Sequence, residues 1–175
     1  MSNKELEHLS KETLIKLIKM YSRNWNTVDG LWFRNVEEKY GTEVATEIDR
    51  EMWMQNVQIE AKRIMETLQL EGDPLDIYCK IIGYTTSMVG DQFDFTYHRI
   101  APDTIEFNYT HCHPQHTRVK QGLEAFPCRQ VGIAIQEKLA EVVDPRIKVK
   151  CLWCPPDPRR DEAWCRWEFK VSDES

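Results

Sequence analysis

Four cysteines carry the most specific chemistry in this sequence. Cys151 and Cys154 enclose the dipeptide Leu152-Trp153, and Cys128 and Cys165 flank them at longer range. Two thiolates three positions apart can grip one ion from a tight turn, and two more from neighbouring elements complete a tetrahedron. The set predicts a metal site made of Cys128, Cys151, Cys154 and Cys165. Zinc is the expected ion, closed and structural because every ligand is a protein thiolate. An iron–sulfur cluster is the alternative, since Cys-x-x-Cys followed by proline also holds clusters. The plainer reading is that several of these thiols are small buried residues.

A second cluster is His111, Cys112, His113 and His116. If a strand persists to 113, His111 and His113 share one face and Cys112 takes the other. Imidazole titrates near neutral pH and can activate a thiol, so Cys112 and His113 are candidate catalytic residues, with His111 and His116 beside them in a ligand pocket. Surface histidines at a strand end are the alternative. Two acids interrupt apolar helical faces: Asp29, between Trp25 and Trp32, and Glu60, between Trp53, Val57 and Ile64. A carboxylate facing inward among indoles should have a raised pKa and needs a partner, such as Arg63 or a histidine. That is also how a general acid or base is made, so Asp29 joins the catalytic candidates and Trp32 and Glu60 the pocket. A carboxylate that caps a break near Gly30, or that pairs with arginine, is the structural alternative.

The elements that must position these groups follow from periodicity. Leu6, Leu9, Leu14, Leu17, Ile18, Tyr21 and Trp25 fall near helical spacing, with Ser10 as a cap or a break, so one or two helices are expected. The pattern continues from Thr27 through Tyr40 and stops at Gly41. Thr42 is expected to cap a long central helix to about Leu70, with Val44, Ile48 and Met52 on one apolar row and Trp53, Val57, Ile64 and Leu68 on another. Asp73-Pro74 starts a further helix, with Leu75, Tyr78, Ile82 and Val89 inward, ending at Gly90-Asp91. The period then becomes two, and 92–100 and 103–113 read as a hairpin. A short helical piece after His116, a helix over 128–142 and strands over 146–153 and 163–171 complete the chain. The prolines of Cys154-Pro-Pro-Asp-Pro stiffen the loop between those strands. The fold class is α+β: one domain over 1–175, a helical layer (1–90) packed on four antiparallel strands that carry the metal site (91–175).

The totals narrow the function. With 175 residues and 41% hydrophobic content the chain can bury one substantial core. The 29 acidic and 23 basic residues leave a net charge of −6, which repels phosphate backbones and anionic membranes. Arg146, Lys148 and Lys150 alternate with apolar residues, as on the solvent side of a strand. Neither nucleic acid nor a membrane is an expected partner. Met1 leads into charged, helix-forming sequence with no apolar run of signal or membrane length, so a cytoplasmic location is expected. Six cysteines in a reducing compartment favour metal over disulfides.

The run from Cys128 through Val131-Gly132 to Cys151-Leu-Trp-Cys154 and Cys165-Arg-Trp-Glu-Phe-Lys-Val resembles the C-terminal half of the 4-vinyl-reductase domain and of the related L-2-amino-thiazoline-4-carboxylic acid hydrolase-like family. Those domains place metal ligands at matching steps, usually cysteines with one acid. Here Cys151 stands where an acid is usual, and the proline-rich loop replaces a shorter glycine turn. In the hydrolase-like family a cysteine recurs near the position of Cys112. The segments Asp29-Gly-Leu-Trp-Phe, Phe126-Pro-Cys and Cys154-Pro-Pro-Asp-Pro are similar to those of a group of uncharacterised cytosolic proteins. The resemblance implies a small-molecule pocket between helices and sheet, and a homodimer. The leading expectation is a metal-stabilised domain that binds a small organic ligand for sensing or delivery. The alternatives are a hydrolase opening a C–N bond of a small heterocycle with Cys112 or His113 beside Asp29, and an iron–sulfur or corrinoid-linked redox accessory protein.

Overall fold

The computed structural model describes residues 4–160 and 162–172, so Met1 lies outside the described residues. A short helix α1 (Lys4–Glu7) precedes α2 (Lys11–Tyr40), which runs unbroken for 30 residues. Ser10 caps α2, its hydroxyl accepting from the Thr13 N–H at 3.1 Å. Gly30 sits inside α2 without interrupting it, so Asp29 caps no break.

The chain turns into α3 (Thr42–Leu68) at Gly41, whose φ of +86° few other residues adopt. Gly41, not Thr42, is the cap; the Thr42 hydroxyl instead donates to Glu37 at 2.9 Å. The buried row of α3 is Ala45, Asp49, Val57 and Ala61, spaced in steps of four and completed by half-buried Trp53. The expected row fails: Val44 and Ile48 are exposed, as is Leu68. Their neighbours on α2 and α6 meet the small-residue side of α3, where backbones approach closely, and leave the branched side in solvent.

Helix α4 (Pro74–Tyr84) begins at Asp73, whose carboxylate accepts from the N–H groups of Leu75 and Asp76 at 2.9 and 3.1 Å. Leu75, Tyr78 and Ile82 are buried as expected. The helix stops at Tyr84, well before Gly90, so Val89 is not on it. The cause is local: Glu60 takes the Thr86 N–H, together with its hydroxyl, and Asn26 donates to the Ser87 carbonyl at 3.0 Å, so a backbone donor and a backbone acceptor that a continued helix would use are engaged by side chains.

Strands β1 (Phe93–Ala101), β2 (Thr104–Cys112), β3 (Ile147–Trp153) and β4 (Cys165–Val171) form one antiparallel sheet in the order β1-β2-β4-β3. Phe107 pairs with Trp167 and Tyr109 with Cys165, so these four share a face with Ile105 and Phe169. That face is buried beneath α4 and α6, where the Tyr78 ring lies 4.5 Å from that of Phe169. Lys148, Lys150 and Lys170 point to solvent, and Glu106 bridges Arg166 across the opposite face at 3.0 Å. Between the hairpin and β3 lie α5 (His113–Lys120) and α6 (Arg129–Val143). At Gly132 a Cβ would stand 3.0 Å from the Trp167 ring, so glycine lets α6 lie against β4.

Among the described residues no helix is long and apolar enough to cross a membrane.

Candidate ligand cavity and thiol cluster

The helical layer and the sheet do not close on each other completely. Between them lies a cavity of about 670 Å³, lined by α2, α3 and α6, the 85–93 turn, the end of β2 and the start of α5. That is within the size range of small-molecule sites. Its walls are largely apolar, with Phe33, Phe93, Phe126, Val131 and Ile135 among them. Of the residues expected from sequence, Asp29, Glu60, Cys112 and His113 line it.

Trp32 does not. It is 54% exposed, on the outer side of α2. His111 and His116 also stand outside the lining, their rings 5.2 Å apart. The strand ends at Cys112 and His113 opens α5, because Pro114 cannot donate to a ladder but fits a first helical turn. His111 and His113 therefore do not share a strand face.

Two carboxyls dominate the polar part of the cavity. Asp29 comes from α2 and Asp49, 8% exposed, from α3. Burial pushes Asp29 up to about 6, partly offset by a hydrogen bond from the Trp53 indole. Burial and then the neighbouring Asp29 charge push Asp49 up to about 7, again offset by Trp53. Asp49 is not conspicuous in the sequence, although the four-residue ladder Ala45, Asp49, Trp53, Val57 places it on the inner face. Glu60 is held by Thr86 rather than by Arg63 or a histidine.

Cys112 faces a different environment from that of an activated nucleophile. Burial raises its thiol to about 12, and the Cys128 sulfur adds to the rise. His113 moves the other way: burial, then His111 and His116, lower its pKa and favour the neutral ring. A protonated thiol beside a neutral imidazole lines the wall without a thiolate to attack from.

Near Cys112 the structure gathers four more thiols. Cys128 is the residue before α6, Cys151 lies in β3, Cys154 follows its end, and Cys165 begins β4. Because Cys151 pairs with Trp167, two residues from Cys165, Cys151 and Cys165 lie diagonally on one face. The Cys128 and Cys154 sulfurs are 3.8 Å apart. The neighbouring Cys154 thiol holds Cys128 and Cys151 below the usual thiol range while its own proton is held more tightly, and the nearby Arg129 guanidinium favours the Cys151 thiolate further. Buried Gln115, another residue that sequence pattern does not single out, fixes this end. Its amide donates to Cys128 at 3.4 Å and exchanges hydrogen bonds with the Phe126 backbone at 2.8 Å. Among the described residues no three His, Cys, Asp or Glu side chains form a ready-made ion-binding set. The four cysteines are neighbours, not a closed tetrahedron.

The profile of a family described as "Family of unknown function (DUF6125)" matches residues 7–171. No curated protein matches the sequence. A solved structure described as "Probing the function of heme distortion in the H-NOX family" superposes with a TM-score of 0.46 at 14% identity, over 84% of this chain and 94% of its own. Nothing about ligand or activity transfers at that level of superposition.

Proposed function

The chain belongs to this family of unknown function, and from that premise we propose that it is a small-molecule-binding domain whose ligand occupies the cavity between the helical layer and the sheet. The observation that carries the reading is the cavity itself, about 670 Å³ with apolar walls and two carboxyls from different helices, Asp49 buried and Asp29 half-buried. A fold that merely packed α2 and α3 on the sheet would fill such a space, since interiors reach the density of organic crystals. Keeping it open around buried acids costs stability, and an occupant offsets that cost. Binding fits better than hydrolysis through Cys112, because that thiol is held protonated on the cavity wall. Sensing or delivery is the role such a domain serves. The direct test is native mass spectrometry of the freshly purified protein, where a co-purifying small molecule lost on denaturation is expected and a clean apo mass after mild isolation from several sources counts against it.

At the edge of the cavity, where Cys128 forms part of the wall, Cys128, Cys151, Cys154 and Cys165 are proposed to hold one zinc ion. With Zn–S bonds of about 2.3 Å, sulfurs on a tetrahedron stand about 3.8 Å apart. The Cys128–Cys154 separation of 3.8 Å matches that edge. In an iron–sulfur cubane each thiolate binds a different iron and the sulfurs stand farther apart, which favours a single ion. A homodimer is also proposed: α2 exposes Ile18, Tyr21, Val28 and Trp32, spaced as one apolar stripe. Light scattering on eluting protein reads that state.

A further inference from the structure

The cavity carries an electrostatic imbalance. Other acids at its rim are matched: Glu60 by Thr86, Glu38 by Arg34, and Glu37, just outside it, by Arg118. Asp29 and Asp49 are not. Their four carboxyl oxygens share one donor, the Trp53 indole N–H, and no cation pairs with either among the described residues. Asp49 is more than nine-tenths buried and lines the cavity, so its carboxyl is reached chiefly from that space. Buried carboxylates are ordinarily paired or hydrogen-bonded, and here the missing donors can come only from the cavity.

We propose that the cavity recognises an organic ammonium ion, a primary or secondary amine on an apolar, ring-sized body, whose N–H groups bridge Asp29 and Asp49 beside Trp53. This deepens the binding function proposed above and rests on it. The chemistry selects an amine over other cations. An ammonium needs about three acceptors, which two carboxylates supply. Magnesium and calcium take about six or more oxygens, and no third acid joins the pair among the described residues. Phe33, Phe93, Phe126, Val131 and Ile135 line the space into which the body of the molecule would extend.

The test compares 2-(1-naphthyl)ethylamine with its neutral counterpart 2-(1-naphthyl)ethanol, titrated calorimetrically at about pH 8, where free carboxyls are ionised. The expected result is at least about tenfold tighter binding of the amine. In Asp49→Asn and in Asp29→Asn that preference should shrink severalfold, while binding of the alcohol persists and shows that the cavity is intact. Equal binding of amine and alcohol to the native chain would overturn the ammonium assignment and leave the cavity function standing. A preference that survives in both asparagine variants would place the cation elsewhere and overturn it too. If neither compound binds at millimolar concentration, the binding function falls along with this proposal.

Discussion

Asp29 and Asp49, twenty residues apart on neighbouring helices, meet on the cavity wall beside the Trp53 indole N–H, where the Asp29 charge disfavours that of Asp49. This sets a pH dependence of stability. Both carboxyls are raised in the folded chain, to about 6 and about 7, from an ordinary 3.8. Between about pH 4 and 7 the folded state therefore binds more protons than the unfolded one, so stability falls as pH rises through that window. A tenfold difference in proton affinity between the folded and unfolded chains corresponds to about 1.4 kcal/mol, and the pair together should cost a few kcal/mol at pH 8 relative to pH 4. Denaturant unfolding across this range should show Asp49→Asn more stable than the native chain at high pH and flatter below it. An Asn variant that tracks the native profile would remove the pair as the cause.

The thiol cluster makes a separate prediction. If one zinc joins the four cysteines, protein purified with metal should contain about one ion per chain and no visible absorption band. Cys154→Ser should lose that ion and several kcal/mol of stability. Cys154 is fully buried, so packing alone would also cost something; the discriminating readout is metal content together with chelator sensitivity. A native chain whose melting temperature ignores chelator would argue for packed thiols instead.

Much of this architecture is legible in the chain. The switch from a period near 3.6 to a period of two after Gly90 marks where helices yield to strands, and Ser10, Gly41 and Asp73 act as helix boundaries because their local chemistry is self-contained. The cavity is legible only in part. Asp29 and Glu60 stand out as acids in apolar stripes, but Trp32 looks equally inward on periodicity and is exposed, since α2 has apolar residues on both sides and only its partners decide which is covered. Asp49 is hidden by the same ambiguity on α3. His113 falls outside the strand expected for it because one proline outweighs the alternation before it.

The ion pair between Arg118 of α5 and Glu37 of α2 should matter more than surface pairs do. Their side chains are 12% and 15% exposed, the contact is bidentate at 2.8 and 3.0 Å, and Arg118 holds the Glu37 carboxyl below the usual range. With the Arg34–Gln121 hydrogen bond it ties α5, which forms one wall of the cavity, to the helical layer. Removing one partner leaves the other charge partly buried, and Glu37→Ala should cost about 2–3 kcal/mol. Hydrogen exchange should then quicken in 113–120 before it does in β2. Uniform loss of protection would mean that the pair stabilises the whole domain rather than this wall.

Gln136 is the junction between the core and the cavity. It is buried on α6, lines the cavity, and accepts a hydrogen bond from the Tyr78 hydroxyl of α4, while Tyr109 of β2 bonds to the same amide. Tyr78→Phe keeps the ring against Phe107 and Phe169 but removes the donor, leaving a buried amide oxygen one partner short. That should cost about 1–2 kcal/mol. Because the freed oxygen borders the cavity, a water or a ligand donor can replace the hydroxyl, and the loss should shrink when a tight-binding amine is present. Equal destabilisation with and without saturating amine would show that the oxygen stays sealed from the ligand.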